Sequence, residues 1–240
     1  MNETDRLYRA ESGTLSGATY DEGLRKYMLG VYNYMAMGIA ATALVGLFFM
    51  TNEAALRFAL NLRMIPFIGV IALGFIAPRL IFSGSAGLAH AAYWAYVALW
   101  GLLIGPVVGI YTNAGLGLDV IKAFFIATSI FASMSLFGYT TKKDLSGWGR
   151  FLFMIGIGLL VALVVNIFLA SSMFSFLISC GVVVFISAVT AFQTQMIKSL
   201  YSEGASSHNQ RASIFGAFAL YGSFVTLFIH ILNILGLARD

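Results

Sequence analysis

The chain has 240 residues, 60% of them hydrophobic and 10% charged, with 21 Phe, 25 Gly, 3 Pro and a mean hydropathy of +0.88. So large an apolar share, against roughly 45–50% in soluble domains, marks an integral membrane protein and leaves no room for a separate soluble domain. The 14 basic residues behind the formal net charge of +4 are scattered between apolar runs rather than gathered on one polar face, so they speak of membrane orientation and not of nucleic acid.

Residues 1–24 are polar and carry Glu3, Asp5, Glu11, Asp21 and Glu22, a composition that fits neither a signal peptide nor a transit peptide. They are expected to form a short, mobile cytoplasmic tail, with residues 25–240 as a single transmembrane domain. Seven apolar segments follow, at about 28–50, 65–82, 87–111, 120–139, 151–170, 176–197 and 212–237. Each is close to the ~20 residues that cross about 30 Å of hydrocarbon as helix. They are too long for barrel strands and lack period-two alternation, and in lipid each backbone amide must be paired within its own segment. The predicted class is an all-α, seven-helix membrane bundle. Its second span is short and holds Pro66 and Pro78, while the fifth and sixth are separated by about five residues and must form a tight hairpin. Cys180 is the single cysteine and lies within an apolar run, so no intramolecular disulfide can form.

Counting Lys and Arg on alternate sides predicts orientation. An N-terminus in the cytoplasm puts ten inside (Arg6, Arg9, Arg25, Lys26, Arg79, Lys142, Lys143, Arg150, Lys198, Arg211) and four outside (Arg57, Arg63, Lys122, Arg239). The expected topology is therefore N-in and C-out.

In the third span, Gly101, Gly105 and Gly109 fall on one face at i, i+4 and i+8, where a neighbouring helix can approach closely. Packing inside the bundle is the favoured reading over dimerisation or a hinge. Pro106 beside them lacks a backbone donor and is expected to kink the helix, opening space for a polar pocket at the freed carbonyl. In the last span, Gly216, Ala219, Ser223, Thr226, His230 and Asn233 recur at intervals of 3, 4, 3, 4 and 3, a small or polar stripe along almost five turns. Hydroxyls, an imidazole and an amide have no partners in lipid, so the stripe should face the bundle interior. Two readings stay open there: hydrogen bonding between helices, or the lining of a hydrated path.

Catalytic chemistry is not expected. His90 and His230 stand alone on different spans, His208 is in a loop, and no spacing suits a metal, so neither metal nor cofactor is predicted. Asn166 is expected to bond to a neighbouring helix. No serine lies in G-x-S-x-G and no acid accompanies a buried His, which removes a hydrolytic triad. All ten acids fall in the tail, connections or span ends. Because ionisable groups at mid-membrane persist chiefly for function, their lack argues against a carboxylate-driven transport cycle.

Several stretches together resemble the Bax inhibitor-1, or transmembrane Bax-inhibitor-motif, family in its bacterial branch: S-L-F-G-Y-T-T-K-K-D-L-S-G-W-G-R from Ser135, N-I-F-L from Asn166, T-A-F-Q-T-Q-M-I-K from Thr190, and the closing L-Y-G-S-F-V-T-L-F-I-H-I-L-N-I-L-G. The resemblance implies six helices around a central seventh, a multi-pass protein of the bacterial inner membrane, and a pH-sensitive leak of calcium ions. It implies a sensor of two hydrogen-bonded aspartates, on the sixth and last spans, with an arginine of the second span able to latch onto one. Here the matching positions hold Gln193 and Ser223, and Arg79 matches the latch. Thr226 and Asn233 stand where the family usually has Asn and Arg. Glutamine resembles a carboxylic acid held neutral, donating and accepting hydrogen bonds without titrating. The expectation is thus that Gln193 and Ser223 keep the inter-helix contact and lose its pH dependence, the alternative being that both positions drifted once the leak function was lost, while Gln195, about 200° around the helix, is plain rim polarity. The alternative function implied is a non-transporting stress-response protein that binds or moderates a membrane-bound ATP-dependent protease, with the charged tail as the grip.

Overall fold

The structure, a computed structural model, describes residues 3–238, with side chains from Asp21 onward. Its helices are α1 (Glu3–Thr51), α2 (Glu53–Asn61), α3 (Met64–Ser83), α4 (Ala86–Asn113), α5 (Gly117–Thr140), α6 (Trp148–Leu169), α7 (Ser172–Ser199) and α8 (Ser206–Leu237). Among the described residues, seven are long and apolar enough to cross a membrane, all but α2. Each predicted span lies within one of these helices, except that the fifth, at 170, runs one residue past the end of α6. The first helix extends back to Glu3, so the stretch read as a separate tail continues the helix of the first span.

Helix ends are set by local chemistry. Asn52, Ser85 and Ser171 each accept a hydrogen bond from the amide three residues on, capping α2, α4 and α7. The hairpin between α6 and α7 is tighter than expected, since only Ala170 and Ser171 separate them. Ala170 makes the turn in the left-handed region, at φ 47 and ψ 34.

α8 is the centre. Two thirds of its membrane window (67%) is buried, against 39% or less in every other span. Helices α1, α3 and α4 pack on one flank and α5 and α7 on the other. The implied ring of six needs one correction, for α6 packs on α7 alone and stays off α8. Only 6% of the α6 window is buried, because it is apolar on all sides and lipid satisfies it as well as protein does.

The glycine face of the third span packs inside the bundle. A Cβ on Gly101 or Gly105 would meet Val45, one on Gly105 also the Phe49 ring, and one on Gly109 would lie 3.1 Å from the Phe49 carbonyl oxygen. These positions let α1 lie close against α4. α4 runs on as helix through Pro106, and apolar Val45 and Phe49 pack beside its neighbour Gly105.

Candidate functional site

The polar residues of α8 meet α7 at two levels. At the level nearer the 141–147 loop, Ser223 Oγ donates to Gln193 Oε1 at 2.8 Å. Ser223 is buried and Gln193 half-buried. The expected contact between Gln193 and Ser223 is therefore made. Among the described residues the Gln193 amide nitrogen meets no acceptor.

A second chain of hydroxyls supports this level from behind. Tyr32 of α1 bonds Ser135 of α5 at 2.6 Å, Ser135 bonds Thr194 of α7 at 3.0 Å, and Thr194 donates to its own helix at Thr190 O. Tyr27 of α1 also donates to Ile197 O at 3.1 Å. These bonds tie α1 and α5 to α7 one residue from Gln193 and one turn beyond it. Gly138 makes the α5 approach possible, since a Cβ there would overlap the Ala191 carbonyl. Nothing in the spacing of Tyr27, Tyr32, Ser135 and Thr194 signals this network, because its partners come from three separate spans.

At the far level, Asn233 Nδ2 donates to Ser179 Oγ at 2.8 Å and to Ser175 Oγ at 3.3 Å, and His230 Nδ1 lies 3.2 Å from the same Ser179 oxygen. The buried Ser179 hydroxyl can accept from Asn233 while donating to the imidazole, so both are satisfied together. Thr226, between the levels, donates to its own helix at Gly222 O. Gly216 lets Ile197 and Val31 close on α8. The stripe thus faces α7 and serves as inter-helix hydrogen bonding at both levels.

Arg79 is not brought to the pair. Its side chain is exposed near the end of α3, and among the described residues no ion pair or hydrogen bond joins it to Gln193 or Ser223. The guanidinium that does reach this end of α3 is Arg211, which donates to Phe82 O at 3.1 Å. Asn166 also departs from expectation: its buried side-chain oxygen has no partner, and no helix–helix bond forms there.

Gln195 does more than the sequence suggested. It accepts from the Leu145 amide at 2.7 Å and donates to Lys143 O at 2.8 Å, clamping the 141–147 loop to α7 while Leu145 itself is buried. Within that loop the amide and hydroxyl of Ser146 hold the Asp144 carboxyl below its usual range. Lys198 closes the same end, donating to Tyr139 O at 2.9 Å with its ammonium 4.8 Å over the Tyr139 ring. Asp119, read only as a span-end acid, is almost fully buried in the first turn of α5, 3.6 Å from Lys122.

A family model described as inhibitor of apoptosis-promoting Bax1 matches residues 24–240. An uncharacterized protein of Rickettsia prowazekii is 38% identical over 231 residues, covering 95% of this chain and 96% of that protein. An uncharacterized protein of Caulobacter vibrioides is 36% identical over 254 residues, with full coverage of both. The inner membrane protein YbhL of Escherichia coli K12 is 36% identical over 243 residues, covering 98% of this chain and 100% of YbhL. With a central last helix and with matches running nearly end to end, the chain belongs to the Bax inhibitor-1 family.

Proposed function

We propose that the chain is a cation leak of the Bax inhibitor-1 type in the bacterial inner membrane, N-terminus in the cytoplasm, with calcium as the expected ion. In this reading its α7/α8 contact is held in a form that does not titrate. The observation that carries it is the 2.8 Å bond from Ser223 to Gln193, in which a neutral hydroxyl and a neutral amide occupy the contact. Burying an ionised carboxylate at that level costs at least about 2.5–3.5 kcal/mol, and protonation would relieve it, so an acid pair there responds to pH. A Ser–Gln pair has no such response. The unfilled Gln193 amide protons support a hydrated passage beside the contact, since an N–H left bare in hydrocarbon costs several kcal/mol. The inner-membrane placement is supported by the name of YbhL and by seven apolar helices.

The test is calcium flux into liposomes holding the purified full-length chain, measured from pH 6 to 8. Flux is expected to exceed that of empty liposomes and to stay level across the series. The double variant Gln193→Asp, Ser223→Asp is expected to introduce a steep dependence. A steep profile in the unaltered protein removes the non-titrating contact, and flux equal to that of empty liposomes removes the leak itself.

A further inference from the structure

α1 and α5 flank α8 without packing on each other along most of their length, and two cavities open between them. One, of about 540 Å³, is lined by Arg25, Met28, Leu29 and Tyr32 of α1 and by Phe131, Ala132 and Leu136 of α5. The other, of about 630 Å³, continues along the same two helices from Ile39 to Met50 and from Phe125 to Gly117, with Ile104, Val108 and Thr112 of α4 closing its side and Phe224, Val225 and Phe228 of α8 as its floor. On α1 the lining positions 25, 28, 29, 32, 39, 42, 43, 46, 47 and 50 follow helical spacing, so the cavities are two chambers of a single seam. The Phe131 and Phe224 rings, 5.8 Å apart, stand between them. At 1.5 Å per residue the seam runs about 37 Å from Arg25 to Met50, enough to cross the ~30 Å hydrocarbon layer.

The lining is largely apolar: its hydroxyls are Tyr32, Ser135 and Tyr139 in one cavity and Thr42 and Thr112 in the other, and its one charged side chain is Arg25. That arginine is exposed, and neither Asp21 nor Glu22 forms an ion pair with it. Of the other cations at this end, Lys198 is already committed to Tyr139, and Lys26, Lys142 and Lys143 do not line the cavity. A guanidinium with no counter-charge among the described residues, at the mouth of a membrane-deep apolar slot, matches one chemistry: a phosphate with a hydrocarbon chain attached. We propose that the α1/α5 seam binds an anionic phospholipid, its phosphate on Arg25 and one acyl chain lying along Phe131 toward Phe224 and Phe228. The chain would then pack against the α8 turn that holds Ser223, giving lipid a route to the α7/α8 contact. The site is independent of whether ions cross.

The test is native mass spectrometry of the full-length chain in a neutral detergent with equal amounts of phosphatidylglycerol and phosphatidylcholine. One basic residue near a membrane surface favours an anionic lipid by about five-fold. That preference is expected in the unaltered protein and should fall to near parity in Arg25→Gln. Ala132→Phe and Ala43→Phe, at exposed positions on the seam walls, should each cut binding of both lipids several-fold, and 10 mM inorganic phosphate should displace neither. Equal binding of the two lipids by the unaltered protein overturns the proposal, as does a preference that survives Arg25→Gln. Unchanged adducts in both Phe variants place the lipid elsewhere, and a dimer peak that both variants abolish makes a second copy of this chain the occupant.

Discussion

At the level nearer the 141–147 loop, α7 and α8 share one hydrogen bond, from Ser223 to Gln193. At the far level Ser175, Ser179, His230 and Asn233 share three. The sparse level is backed by hydroxyls from α1 and α5, through Tyr32, Ser135 and Thr194. The dense level is complete between the two helices themselves. The interface is therefore locked at one end by direct bonds and held at the other by neighbours, which makes the Gln193 level the one that can part without stripping its partners bare. Both partners at that level are neutral, a hydroxyl and an amide, so nothing in the contact can change charge.

The largest break in this arrangement should come from Gly138→Leu. The atoms a side chain would meet are the Ala191 backbone, which has no rotamer to swing away, so α5 must move off α7 and pull Ser135 from Thr194. A loss of about 3 kcal/mol is expected, at the upper end for overpacking, read as a fall in thermal midpoint in detergent. Gly158→Leu on α6, where a Cβ meets nothing within 4 Å, should stay within about 0.5 kcal/mol. Equal effects in the two variants would mean that α5 does not support the near level.

Asn233→Ala removes two donated bonds from the far level and should cost about 1 kcal/mol, within the range for hydrogen bonds between membrane helices. Ser223→Ala removes one bond and leaves Gln193 free to turn toward water, so about 0.6 kcal/mol is expected. Both are measured by unfolding in the same detergent. If Ser223→Ala proves the more costly, the near level is the lock and the comparison inverts.

What could be read in advance follows the physics of each feature. The spans were legible because hydrocarbon thickness forces runs of about 20 apolar residues, and each run sits in one helix but for Ala170 at the end of the fifth. The direction of the α8 stripe was legible because polar groups have no partner in lipid. The Gln193–Ser223 contact was legible only through the resemblance, since spacing within one chain does not say which spans meet. α2 was passed over as a connection, although Asn52 followed by Glu53 is a helix-start signal. The role of Gln195 was hidden because its partners lie 50 and 52 residues away, and the burial of Asp119 depends on helices that sequence does not align. The peripheral place of α6 had a signal that was there to use: with no polar stripe it had nothing to bring to the interior, whereas the most polar-striped span became the centre.

The smallest expected effect concerns what holds the dense level in register. Ala170 and Ser171 alone join α6 to α7, and Ser171 caps α7 four residues before Ser175. Ala170 sits at φ 47, where the Cβ of an L-residue costs about 1–2 kcal/mol, a cost that glycine avoids. Glycine in turn widens the unfolded ensemble, offsetting up to about 1 kcal/mol of that relief. Ala170→Gly should therefore raise stability by about 0.5 kcal/mol, seen as a small rise in thermal midpoint, and leave the cost of Asn233→Ala unchanged in the double variant. If the glycine variant is less stable, the turn is not left-handed at Ala170. If it alters the Asn233→Ala cost, the dense level depends on the turn above it and is no longer complete in α7 and α8 alone.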